Sequence, residues 1–119
     1  MRRIPIIVFT AILVASTAFA FQPYEWSLSS GEKTADATIL TGVGYFHQIL
    51  IMPDGTNDVT VSIYDNTASS GTKLFPTMTF SGTGGAQASA PVWIPVNTGI
   101  RVDITTAGTV AYVVLYRGR

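Results

Sequence analysis

Tyr45-Phe46-His47-Gln48-Ile49-Leu50-Ile51-Met52 runs into Pro53, then Asp54-Gly55-Thr56-Asn57-Asp58, then Val59-Thr60-Val61-Ser62-Ile63-Tyr64. This stretch decides the fold class. The second run alternates cleanly, with Val59, Val61 and Ile63 on one side and Thr60, Ser62 and Tyr64 on the other, which is the period of a half-buried strand. The first run is apolar on both sides. At strict alternation Phe46, Gln48, Leu50 and Met52 share one face, and Tyr45, His47, Ile49 and Ile51 the other. Such a strand is expected in the centre of a sheet or beneath a partner subunit. Pro53 cannot donate to a ladder and should end it. Asp, Asn and Gly between the runs supply a turn, because they tolerate the left-handed backbone region.

Working outward, strand signals dominate and no long stretch holds apolar residues at helical spacing. Upstream, 24–30 reads as a first strand with Trp26 and Leu28 on one face, and 35–40 as a weaker second. Downstream, 73–80 carries Leu74, Phe75, Met78 and Phe80, with Pro76 marking a bulge or an edge. Residues 82–90, rich in Gly and small side chains, read as a mobile surface loop. Residues 91–96 hold Val92, Trp93 and Ile94 between prolines and read as a short edge strand. Ile100, Val102 and Ile104 alternate with Arg101, Asp103 and Thr105, and 110–117 is again apolar on both faces. About eight short strands at this spacing predict an all-β fold, an antiparallel β-sandwich of jelly-roll or Greek-key type.

The first twenty residues carry a different message. Met1-Arg2-Arg3 is basic, 4–15 is apolar, and Ser16-Thr17-Ala18-Phe19-Ala20 ends in small residues. Ala18 and Ala20 stand at the −3 and −1 places of a signal-peptidase site, so 1–20 is expected to be a signal peptide. The other reading is an N-terminal hydrophobic leader helix retained as an anchor, since 4–21 is eighteen uncharged residues and just long enough to span a bilayer. On either reading 21–119 is a single domain, exported to the periplasm, the cell surface or the medium, and contact with a membrane is confined to 4–21 if the leader is uncleaved. The domain then has five basic and seven acidic side chains, a net charge of −2. No basic stripe exists to follow a phosphate backbone, so nucleic acid is not an expected partner. Cysteine is absent, so disulfides cannot reinforce a core this small. Subunit contacts are an expected substitute, and a homo-oligomer is the expected state.

Candidate chemistry is sparse. His47, the single histidine, stands mid-strand among aromatic and aliphatic residues and reads as a packed or interfacial imidazole. One histidine and no cysteine argue against zinc. Asp54, Asp58 and Asp65 are weak calcium candidates: Thr56 stands at the third position of the loop and no closing Glu follows. Asp54 with Asp58, or Asp65 with Asp103, could be imagined as glycosidase carboxylates, but no cleft is readable. No serine lies in a strand-to-helix elbow. No catalytic residue, metal or cofactor is therefore expected, and the chain is not expected to be an enzyme. Trp93 and Tyr64 are the aromatics expected outside. Exposed rings can stack on sugars, and 82–90 would form a rim, so an exported glycan-binding module is the alternative to a surface built for protein contacts.

Val61-Ser62-Ile63-Tyr64-Asp65-Asn66, then Ser70-Gly71-Thr72-Lys73-Leu74, resembles a "VxIYDN…SGTKL" stretch of small β-sandwich structural proteins of tailed bacteriophages. Residues 95–103 (PVNTGIRVD) and 110–113 (VAYV) resemble the strands that close that domain. The resemblance covers roughly residues 42–117. It implies a virion or decoration-type structural role through protein–protein contacts, with no enzymatic activity and no cofactor. An export signal implies instead that such a domain serves at a cell surface or in the periplasm, and a leader not used for export leaves the virion as its location.

Overall fold

A computed structural model describes residues 27–118. The expectations for 1–20 and for the strand upstream of Ser27, Trp26 included, lie outside the described residues. Nine strands are formed among those described: β1 (Leu28–Ser29), β2 (Ala37–Thr41), β3 (Gly44–Pro53), β4 (Val59–Tyr64), β5 (Met78–Phe80), β6 (Gln87–Ala88), β7 (Ile94–Val96), β8 (Gly99–Thr105) and β9 (Val110–Gly118). They make two antiparallel sheets. The first has the order β1-β9-β3-β6, with β7 also on β3, and the second β2-β8-β4-β5. No described helix is long and apolar enough to cross a membrane.

Both sheets feed one core. Phe46, Ile49, Ile51, Val96, Tyr112 and Val114 come from the first, and Val59, Val61, Ile63, Phe80, Ile100 and Val102 from the second. The two layers therefore pack face to face, and the inward set of β4 is the one expected: Val59, Val61 and Ile63 are fully buried. Truncating Ile63 to alanine should cost about 2–5 kcal/mol, since it removes apolar contacts and leaves a void.

β3 departs from strict alternation. Its register against β9 shifts between Phe46 and Gln48, so His47 and Gln48 together stand opposite Leu115. This extra residue is a β-bulge, and it exchanges the faces of everything beyond it. Phe46 is buried with Ile49 and Ile51, while Leu50 is 39% and Met52 49% exposed. The expected grouping of Phe46 with Leu50 and Met52 is thereby corrected.

Two other segments differ from expectation. Residues 82–90 are not bare loop. β6 lies within them and pairs with Leu50 and Ile51, and the Gln87 side chain donates to the Ser81 carbonyl at 2.7 Å. The stretch 73–80 is split around Pro76. Lys73 bridges Tyr64, Leu74 N–H donates to the Ile63 carbonyl, and only Met78–Phe80 forms a regular strand. Phe75, thrown out of the ladder, packs against Phe46 with ring centres 5.4 Å apart.

Pairing along the chain is nested. β4 pairs β5, β3 pairs β6 and β7, β2 pairs β8, and β1 pairs β9. Two further ladders, β3 with β9 and β4 with β8, join the nested pairs into sheets. Gly44 leaves no room for a side chain: a Cβ there would collide with the Arg117 carbonyl and the Leu40 side chain.

Candidate functional site

The carboxylates considered for calcium are already occupied. Asp54 accepts from the Thr56 and Asn57 amides at 2.8 Å, the Asn57 side chain at 2.9 Å and Thr109 N–H at 3.3 Å. Those bonds, the Asn57 amide first, hold its carboxyl well below the ordinary carboxylate range. They also close the turn in which Gly55 takes a positive φ of 97°. Asp58 accepts from Gly82 N–H at 2.8 Å and so ties the β3–β4 turn to the segment after β5. Asp65 accepts from the amides of Asn97, Thr98 and Gly99 at 2.9 to 3.3 Å. Partial burial raises its carboxyl, and those three N–H groups outweigh that and lower it. Among the described residues no group of three His, Cys, Asp or Glu side chains could hold a metal ion. In the fold each of these carboxylates satisfies turn amides.

Asp65 also figures in the pairing with Asp103. Asp103 lies on β8 on the outer side of the second sheet, where it accepts from Ser69 Oγ at 2.5 Å and stands 3.6 Å from Arg101 Nε. Its surroundings form a network of short polar side chains. Ser62 meets Thr77 at 3.0 Å, Thr60 meets Thr79 at 3.4 Å, and Lys73 Nζ donates to Thr77 at 2.8 Å. Arg101 reaches Thr38 at 3.2 Å, whose hydroxyl donates to the Thr67 carbonyl. This outer face is polar throughout, and its hydroxyls bond one another.

Tyr64 belongs to that polar face. Trp93 does not: it precedes β7 beside the first sheet, 43% exposed, and stacks on His47 with ring centres 4.2 Å apart and planes 18° from parallel. The two rings expected to make a glycan platform therefore belong to different sheets. His47 is packed, as its setting in the sequence suggested. Nδ1 lies 2.7 Å from the Val92 carbonyl, which only a ring N–H can satisfy, and Val92 N–H returns a bond to the His47 carbonyl. Gln48 and Ser89 use their polar groups within the fold. Gln48 Nε2 donates to the Ser89 carbonyl at 2.8 Å, and Ser89 Oγ accepts from Ile49 N–H at 3.1 Å.

The remaining surface is the outer side of the first sheet. Because of the bulge, β3 presents Tyr45, Gln48, Leu50 and Met52 there, and β9 presents Ala111, Val113, Leu115 and Arg117. Leu50 stands opposite Val113, Met52 opposite Ala111, and Tyr45 opposite Arg117. Leu50, Met52, Val113 and Leu115 take no part in the core. Leu50 and Met52 overhang a shallow groove of about 400 Å³, floored by β3 and β9 and bounded by Ala86, Ala88 and Glu32. A second apolar recess of about 380 Å³ opens between the sheets at Phe75, Met78, Val92 and Ile94. Comparison of the chain with protein-family models, with curated proteins and with solved structures finds no match.

Proposed function

We propose that this is a non-enzymatic structural or surface protein that works through protein–protein contacts made by the outer face of its first sheet. The observation that carries the reading is the grouping of Leu50, Met52, Ala111, Val113 and Leu115 on one outer face, where Leu50 is 39% and Met52 49% exposed. A contiguous apolar patch bordered by polar residues is the mark of an interaction site. The nested strand pairs support a jelly roll, an architecture used in viral capsid and lectin domains. With the resemblance of 61–74 and 95–113 to tailed-phage structural proteins, this favours a decoration-type component of a particle. Export through 1–20 would put the same contact surface on a cell exterior. Protein contact is favoured over sugar binding because Tyr64 and Trp93 are on different sheets, and because Gln48 and Ser89 spend their hydrogen bonds within the fold.

The test is a photo-activated cross-linking residue placed at Leu50 or, as control, at Thr60, in cells that make the protein. Protein adducts are expected from position 50 and not from position 60. Failure to cross-link from either position would overturn the reading.

A further inference from the structure

We infer that the recess between the two sheets is a binding slot for an anionic single-chain amphiphile, of which a medium-chain fatty acid is the simplest. The slot shares no residue with the contact surface on the first sheet and does not depend on it.

The slot exists because both sheets end raggedly on the same side. In the second sheet β5 is the last strand. Pro76 has no N–H to give, so only Met78–Phe80 pairs regularly there. In the first sheet the chain follows β3 in two short pieces, β6 and β7. Between them it is tied only by Ser89 N–H to the Ile49 carbonyl and Val92 N–H to the His47 carbonyl. Phe75 and Met78 from one sheet, and Val92 and Ile94 from the other, pack against the core and stay partly exposed. They leave a cleft of about 380 Å³ between them.

The walls select what can enter. Phe75, Pro76, Met78, Ala90, Val92 and Ile94 offer hydrocarbon. The two hydroxyls that line the cleft are engaged: Ser89 Oγ accepts from Ile49 N–H at 3.1 Å, and Thr77 Oγ1 meets Ser62 at 3.0 Å. The part of a ligand held inside is therefore apolar. The volume lies at the lower end of small-molecule sites. At about 30 Å³ for each water-sized group it holds about a dozen, the size of one alkyl chain of about ten to twelve carbons.

Charge decides the head group. Lys73 Nζ donates to Thr77 Oγ1 at 2.8 Å, and Thr77 is where the slot meets the polar face. A neutral acceptor thus holds the ammonium at one lip, and Lys73 enters no ion pair among the described residues. No acidic side chain lines the slot. A carboxylate emerging at that lip meets an opposite charge, whereas an ammonium head would meet its own kind.

The experiment is calorimetric titration of the purified protein with octanoate, decanoate and dodecanoate below their micelle concentrations. One molecule per chain is expected. Affinity should rise about fourfold for each added methylene and stop rising beyond about twelve carbons. Ala90→Trp, at an exposed position on the rim, should plug the slot and abolish binding with an unchanged circular dichroism spectrum. Ala90→Leu, a smaller plug, replaces it if it fails to fold. Lys73→Gln should weaken dodecanoate about threefold, as the loss of an exposed ion pair does, and leave decanol unchanged. No binding of dodecanoate at about 1 mM would overturn the proposal. So would binding that survives both plugs, or equal affinity for dodecanoate and dodecylammonium with Lys73→Gln silent. None of these results bears on cross-linking from position 50, so a failure here leaves the contact reading standing.

Discussion

The two outer faces of this molecule are built on the same strand geometry and carry opposite chemistry. On the second sheet Thr60, Ser62, Arg101, Asp103 and Thr79 point outward: Thr60 meets Thr79, Ser62 meets Thr77, and Asp103 pairs with Arg101 and accepts from Ser69. On the first sheet Leu50, Met52, Val113 and Leu115 occupy the equivalent positions. A polar outer face beside a buried inner face is what a water-bounded antiparallel sheet needs. An apolar outer face costs solubility and adds nothing to the core, which is the ground for the contact surface proposed above. The contrast between the faces carries more functional information than any single side chain.

The register set by the bulge at His47 is what creates the contrast on β3, so shifting it by one residue should have the largest effect. Inserting one alanine between Ile49 and Leu50 would turn Leu50 and Met52 into the core and Ile51 out of it. The expected outcome is loss of the cooperative thermal transition, a penalty above about 4 kcal/mol, followed by circular dichroism.

Next in size is Asp65→Ala, which strips three backbone amides of their acceptor in the turn that joins β7 and β8 beside the polar face. A loss of about 1–3 kcal/mol is expected in urea unfolding. The carboxyl of Asp65 is lowered from its ordinary 3.8 in the fold. Its contribution is therefore complete above that value and is lost as pH falls through the lower, folded value. The acid limb of the stability curve should be shallower in the variant.

Tyr112→Phe should cost about 1 kcal/mol, because its hydroxyl donates to the Ala35 carbonyl at 2.6 Å and links the first sheet to the approach to β2. Burial, with the negative charge of Asp36, pushes the phenol from 10.0 to about 12. A raised value means that the folded state prefers the neutral phenol. Stability contributed by Tyr112 is then intact below pH 10 and declines between 10 and about 12. The difference between wild type and Tyr112→Phe should vanish across that window.

The smallest effect belongs to the polar face itself. Thr60→Val with Thr79→Val replaces a 3.4 Å hydroxyl pair by two β-branched apolar groups of similar shape. Stability should change by less than about 0.5 kcal/mol. Sedimentation should be unchanged too, because two methyl groups do not make a patch.

Much of this was readable in the residues. Val59 to Tyr64 alternates without exception, and so do its faces in the fold. The two-sided apolar character of 45–52 and 110–117 leads to the expectation of a central or partner-covered strand, and β3 and β9 are both interior strands of their sheet. The bulge was hidden because no residue type marks it: His47 and Gln48 suit either side of a strand, and only pairing with Leu115 reveals the extra residue. The amide partners of the carboxylates were hidden for a related reason. Asp54, Asp58 and Asp65 sit in turns by their chemistry, and their acceptor role depends on which N–H groups the fold brings near. Asn97 to Gly99 lie more than thirty positions from Asp65, beyond the reach of any local pattern. Tyr64 and Trp93 could not be assigned to one platform for the same reason, since sheet membership depends on the nested pairing and not on their distance along the chain.

The absence of native cysteine permits a direct comparison of the two faces. Met52→Cys and Thr60→Cys place one thiol on each, and maleimide labelling in cells that make the protein measures their accessibility. The account predicts that the thiol at 52 is protected, while the thiol at 60 reacts at once. Equal and immediate labelling at both positions would contradict it.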